Sequence, residues 1–134
     1  MNVKRLALAS LFVFLFVFLY EWLFHGQLLM ADYTATKALW RSDAEMMGNI
    51  GWLALGHAIM AFVFCVIFTK GYEGRGIAEG VRYGVLIGLL VLANVLVRYA
   101  VEPIPFSLAM KWFAGGMIEL VAAGVIAALV YRPA

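Results

Sequence analysis

Residues 6–20 read LALASLFVFLFVFLY, a strongly apolar run that follows directly after Lys4 and Arg5. A run of this kind suits the hydrocarbon core of a bilayer, which is about 30 Å thick and is crossed by roughly 20 residues of helix. The segment that follows, EWLFHGQ over residues 21–27, lacks the small residues of a signal-peptide cleavage site. We therefore expect the run to be a membrane-spanning helix and not a cleaved leader.

The composition extends this interpretation to the rest of the chain. Of the 134 residues, 66% are hydrophobic and only 13% are charged, and the mean hydropathy is +0.96. A water-soluble domain of this length needs more charge to cover its surface. We predict an all-α fold, an integral membrane bundle of four transmembrane helices that forms a single domain over residues 1–134. The predicted spans are residues 6–24, 50–69, 77–99 and 106–131.

The connection between the first two spans is amphipathic. Apolar residues recur at helical spacing, which predicts a short helix on the membrane surface. These residues are Leu28, Ala31, Ala35 and Leu39. Ser42 and Glu45 then form the pattern of a capping box, so the second long helix is expected to begin near Asp43.

Basic residues in the connections predict the orientation. Six lie at the termini and in the second connection, namely Lys4, Arg5, Lys70, Arg75, Arg82 and Arg132. Four lie on the opposite side, namely Lys37, Arg41, Arg98 and Lys111. Because cytoplasmic segments carry the excess of Lys and Arg, both termini are predicted to be cytoplasmic. The net charge of +2 is too small to indicate a nucleic-acid partner.

Glycines indicate where helices approach closely. Gly76, Gly80, Gly84 and Gly88 recur every four residues and therefore share a helix face. Gly116 and Gly124 form a second small-residue row on the fourth span. Such rows allow close packing in lipid, either within the chain or against another subunit.

Polar residues predict a layer inside the membrane near the outer end of the bundle. At about 1.5 Å per residue, His57 and Asn94 lie roughly 7–8 Å below the outer aromatic belt, and Glu119 lies about 10 Å below it. Glu21, His25 and Arg98 crowd the same end. An ionisable group at this depth needs a partner, and His57, Asn94 or Arg98 is the expected partner of Glu119.

This layer has two interpretations. It could bind a proton, a metal ion or a polar ligand, since a buried carboxyl beside an imidazole can exchange a proton near neutral pH. It could equally be a hydrogen-bond network that fixes helix packing. No cofactor is predicted, although the two histidines could ligate haem. A metal site is a further alternative, with Glu21, His25, His57 and Glu119 as its ligands.

Two segments carry a resemblance to a protein family. The first is EWLFHGQ at residues 21–27 with Leu39-Trp40 downstream, and the second is EGVRYG at residues 79–84. Over about the first two thirds of the chain, they resemble small bacterial four-helix inner-membrane proteins of unknown function. The resemblance implies a bacterial inner membrane and four helices, and it implies no activity.

Three functions remain open from the sequence. The first is a non-catalytic subunit that packs in a larger membrane complex, which the glycine rows and the lack of a catalytic motif favour. The second is a small homo-oligomeric, proton-coupled transporter or channel that uses Glu119. The third is a membrane metal- or cofactor-binding protein that uses His57 and Glu119. Lipid and other membrane subunits, or further copies of the chain, are the expected partners, and an enzyme is not expected.

Overall fold

A computed structural model describes residues 1–132, and it is helical with four long apolar helices that could each span a membrane. The single-domain prediction extends to Pro133 and Ala134, which lie outside the described residues. The long helices are α1 (Val3–Leu23), α4 (Ile50–Lys70), α5 (Ile77–Val101) and α6 (Phe106–Val130). Between α1 and α4 lie a π-helical turn (Phe24–Leu28), α2 (Met30–Ala35), a 3-10 turn (Lys37–Leu39) and α3 (Asp43–Gly48).

The all-helical fold with four long apolar helices is confirmed, and their bounds lie within about three residues of the predicted spans. The connection differs in detail, because two short helices and two turns replace one continuous amphipathic helix. The capping box is present: the Ser42 hydroxyl accepts the Glu45 backbone N–H, and the Glu45 carboxylate accepts the Ser42 backbone N–H. It starts α3, and Asn49 separates α3 from α4.

Helix α6 occupies the centre of the bundle. It packs against α5 on one side and α1 on the other, while α4 packs mainly against α1. Its buried residues lie around much of its circumference, whereas α1, α4 and α5 each bury a narrower stripe. Glu119, on the buried side of α6, therefore lies in the interior of the bundle.

The two ends of the bundle differ in their covering. At one end, the Asn2 backbone N–H donates to the Tyr131 hydroxyl at 3.2 Å, close to the loop of residues 71–76; we call this the termini end. At the other end lie α2, α3 and the turn of residues 102–105; we call this the connector end. The N-terminus, the end of α6 and the α4–α5 loop thus lie at one end of the bundle. The α1–α4 and α5–α6 connections lie at the other end.

Glycine contacts bring α5 and α6 together. A Cβ on Gly80 would overlap the Gly124 carbonyl, and a Cβ on Gly84 would overlap the Leu120 carbonyl. Gly88 faces the Met117 side chain. Because a side chain at these positions would meet backbone, the glycines allow the two helices to approach closely. The groove at Gly80, Gly84 and Gly124 is therefore occupied within the chain.

Two of the row glycines have other surroundings. Gly116 faces the Leu92 side chain and not a helix backbone. Gly76 does not belong to the contact at all, since a Cβ there would meet nothing within 4 Å. It precedes α5 with φ of +64°, a backbone conformation that glycine adopts readily, so Gly76 starts the helix and does not pack it.

A buried carboxylate organises the loop at the termini end. Glu79 is 4% exposed, and its carboxylate accepts the backbone N–H of Glu73 at 2.6 Å and that of Arg75 at 2.8 Å. Glu73 in turn forms ion pairs with Arg75 at 3.0 Å and with Arg82 at 2.8 Å. Glu79 is thus paired with backbone N–H donors and Glu73 with two arginines. These contacts hold the turn between α4 and α5.

Candidate functional site

Glu119 lies on α6 in the interior of the bundle and is 6% exposed. Its Oε1 atom is fully buried and receives no hydrogen bond from residues 1–132. Buried polar atoms in native proteins are nearly always hydrogen-bonded, so an unsatisfied one requires an explanation. An unpartnered carboxylate oxygen in an apolar interior is costly, and a proton or a ligand that supplies a donor relieves that cost.

The neighbouring acid is Glu21 on α1, whose carboxyl group acts on that of Glu119. Two carboxyl groups can hydrogen-bond to each other only when one of them carries a proton. The sequence-based expectation that His57, Asn94 or Arg98 would be the partner is therefore corrected. The cause is the antiparallel packing of α1 on α6, which brings Glu21 to the level of Glu119.

A chain of hydrogen bonds leads from Glu21 toward the connector end. Glu21 Oε2 lies 3.2 Å from His25 Nε2, and His25 Nδ1 lies 2.5 Å from the Tyr33 hydroxyl. The Trp112 indole N–H donates to the same hydroxyl at 2.8 Å. The chain thus joins α1, the π-helical turn, α2 and α6.

The chemistry of these groups assigns the direction of the bonds. The indole of Trp112 can only donate, so the Tyr33 oxygen accepts from it and donates its own hydrogen to His25 Nδ1. Neutral His25 then carries its hydrogen on Nε2, facing Glu21. Burial raises the pKa of Tyr33 to about 12, which keeps the hydroxyl protonated as a donor. Each hydrogen in the chain therefore points toward the carboxyl pair.

The π-helical turn aims His25 at this chain. It begins at Phe24, whose ring occupies the notch at Gly115, where a Cβ would overlap the ring. The Tyr20 hydroxyl donates to the Gly115 carbonyl at 2.7 Å and anchors the turn before it. Extra residues of this kind in an α-helix re-aim side chains and frequently mark functional sites.

The remaining predicted residues are placed apart from the carboxyl pair. His57 on α4 is half-buried; its Nδ1 atom is buried without a partner among residues 1–132, and Phe18 packs edge-on against its ring at 6.0 Å. Arg98 forms a bidentate pair with Glu102 at 2.8 and 2.9 Å and lies over the Trp112 ring at 4.9 Å. Asn94 is exposed on the outside of α5. Of the predicted layer, Glu21, His25 and Glu119 thus form one connected group.

Tyr33 and Trp112 are functional candidates that the sequence did not indicate. Both are aromatic residues near the ends of the predicted spans, where such rings are common. Their polar atoms instead meet at one hydroxyl, because α2 folds back over the end of α6. An ion pair between Lys111 and Asp32, at 2.8 Å, also joins α2 to α6.

The metal alternative has no supporting geometry. Within residues 1–132, no three histidine, cysteine, aspartate or glutamate side chains are arranged to hold a metal ion. The two imidazoles have different surroundings, since His25 bonds to Glu21 and Tyr33 while His57 packs on Phe18.

Comparisons with protein-family models, with curated proteins and with solved structures found no match to this chain. The resemblance to small bacterial membrane proteins therefore stays a prediction. The function is argued from the site alone.

Proposed function

We propose that this protein is a small proton-translocating membrane protein, a transporter or channel, in which Glu119 is the proton-binding group. The observation that carries the proposal is the buried Glu119 oxygen without a hydrogen-bond donor, beside the carboxyl of Glu21. Two negative charges side by side in an apolar interior are costly, and one proton removes half of that charge. The pair is thus suited to take up and release a proton.

The hydrogen-bond chain provides the route by which a proton reaches the pair. His25 donates its Nε2 hydrogen to Glu21 and regains a hydrogen at Nδ1 from the Tyr33 hydroxyl. Tyr33 then takes a replacement proton from water at the connector end, because the Trp112 indole that donates to it does not release its hydrogen. Because α2 covers the chain at the connector end, movement of α2 would open or close the route.

A membrane setting is part of the proposal. The four long helices carry a mean hydropathy of 2.1 to 2.2 over their most apolar windows, and their outward faces are rich in large apolar side chains. We further propose that the membrane is a bacterial inner membrane with the termini end on its cytoplasmic side, which the basic residues Lys4, Arg5, Lys70 and Arg75 at that end support. Protons would then enter the site from the connector end, outside the cytoplasm.

The alternative of a non-catalytic subunit in a larger complex was favoured by the glycine rows and by the lack of a catalytic motif. In this chain α6 fills the groove at Gly80 and Gly84. The subunit hypothesis therefore loses the support of the glycine rows, while the carboxyl pair supports the proton hypothesis.

The test is proton flux into liposomes that contain the full chain and a pH-sensitive dye. With an imposed pH gradient and a permeant counter-ion, we expect flux above that of empty liposomes, and Glu119→Gln should abolish it. Glu73→Gln is the matched control, since Glu73 is an exposed acid at the termini end and its loss should leave flux unchanged. Equal flux for wild type and Glu119→Gln would contradict the proposal.

A second variant tests the route. Tyr33→Phe keeps the ring but removes the hydroxyl that joins Trp112 to His25, so flux should fall several-fold without being abolished. Trp40→Phe serves as control, because the Trp40 indole donates to Thr36 and not to the chain. If Tyr33→Phe and Trp40→Phe have the same flux, Tyr33 is not part of the route.

A further inference from the structure

The outer face of α5 combines the helix's most exposed apolar side chains with one amide. Four large apolar residues are more exposed than any others on this helix: Leu86 at 60%, Leu90 at 74%, Val97 at 58% and Val101 at 80%. At 3.6 residues per turn they fall within a sector about 60° wide, and Asn94 borders that sector. We call these five residues the α5 stripe.

The amide is the unusual member of the stripe. Asn94 is exposed, so the bundle does not cover it, and it lies seven residues before the end of α5 at Val101, about 10 Å along the helix. In the proposed membrane setting this depth is within the hydrocarbon. Polar side chains there face other helices and hydrogen-bond across them, because lipid offers no partner.

We infer that the α5 stripe is the interface of a homodimer in which the Asn94 amides of two copies hydrogen-bond to each other. An amide carries both donors and an acceptor, so it is complementary to another amide. Two copies inserted with the same orientation bring Asn94 to the same depth, and a two-fold axis along the membrane normal sets the residue opposite itself. A second copy thus satisfies the amide without any further component.

The spacing of the stripe fits the same arrangement. Leu90, Asn94, Val97 and Val101 follow one another at intervals of four, three and four residues, which is the seam spacing of two helices packed side by side. A single Asn in such a seam fixes register and the number of strands. The opposite face of α5 is occupied by α6 through the glycine contact, so the stripe remains available. This inference uses neither Glu119 nor its proton.

Energy transfer between two fluorescent labels on the full chain in liposomes tests the inference. As the protein-to-lipid ratio rises, wild type should show a dimer-like increase in transfer, and Asn94→Leu should weaken association about tenfold. Asn94→Gln keeps an amide and should retain most of the association. No self-association of wild type at any ratio, or equal association of wild type and Asn94→Leu, would overturn the inference.

Cross-linking identifies the face independently of the amide. In a Cys65→Ala background, a short thiol-specific cross-linker should join Leu90→Cys copies and Val97→Cys copies. Leu89→Cys is the control, because Leu89 is also exposed but lies about 100° from Leu90 around the helix. Equal cross-linking at all three positions, or cross-linking at Leu89→Cys alone, would contradict the assignment of the stripe.

Discussion

Glu79 and Glu119 are the two acidic side chains that are buried in the described part of the chain, and their surroundings are opposite. Glu79 lies at the termini end and accepts two backbone N–H groups. Glu119 lies in the interior toward the connector end, beside another carboxyl and with an oxygen that no donor reaches. Burial is nearly the same, so burial alone does not distinguish a structural acid from a reactive one.

The two sites differ in the hydrogen-bond donors that the fold provides. The loop of residues 71–76 turns its amides toward Glu79, so the charge is stabilised and changing it damages the loop. At Glu119 the fold brings a second acid close and provides no donor to Oε1, and we propose that a proton that can also leave stabilises this site. A buried carboxyl is therefore a candidate for chemistry when its partners are missing or like-charged.

The largest effect on stability is expected at the α5–α6 contact, because α5 carries Glu79 and α6 carries Glu119. In Gly84→Ala the new methyl group meets the Leu120 carbonyl and the Val121 backbone, so the helices must separate. We expect a loss of about 2–3 kcal/mol in the free energy of unfolding in mixed micelles. Gly56→Ala is the control, since a Cβ there meets nothing within 4 Å, and it should be neutral or slightly stabilising. Equal stability of the two variants would show that the contact does not hold the bundle.

A smaller effect is expected at Glu79. Glu79→Gln replaces one accepting oxygen by an amide group that cannot accept, and one backbone N–H of the loop loses its partner. We expect a loss of about 1–3 kcal/mol in the same unfolding measurement, with proton flux in liposomes retained. Loss of flux at unchanged stability would reverse the roles assigned to Glu79 and Glu119.

The smallest effect is expected from the exposed acid of the loop. The Arg82 hydrogen bond lowers the pKa of Glu73, so its contribution to stability is present above the ordinary glutamate pKa of about 4.3 and is lost as the pH falls through the lower, folded-state pKa. An NMR titration of the Glu73 side chain should show this low pKa, and Arg82→Gln should return it toward the ordinary value. An ordinary pKa in the wild type would show that the Arg82 pair does not persist.

The sequence predicted the helices well because span length depends on hydropathy, which is a property of each segment. It also placed Glu21, His25 and Glu119 near one level, since depth follows from counting residues along a helix. Rotation about the helix axis was not predictable, because packing against neighbours sets it. Asn94 and Glu119 were therefore assigned to one layer, although Asn94 faces outward and Glu119 inward.

The missed contacts have the same origin. Tyr33 joins the chain only because α2 folds back over α6, and Glu79 binds the loop only because Gly74 and Gly76 adopt positive φ. A loop path of this kind depends on tertiary contacts and leaves no periodic pattern. The pairing of Glu21 with Glu119 was not expected from their charges, because two carboxyl groups pair favourably only when they share a proton.

The central claim is that Glu119 holds a proton that it can release, and infrared spectroscopy of the full chain in lipid tests it directly. We expect a carbonyl band of a protonated carboxyl that disappears reversibly as the pH rises. The band should be absent in Glu119→Gln and present in Glu79→Gln. A wild-type spectrum without such a band at any pH at which the protein is folded, or a band that survives in Glu119→Gln, would contradict the account.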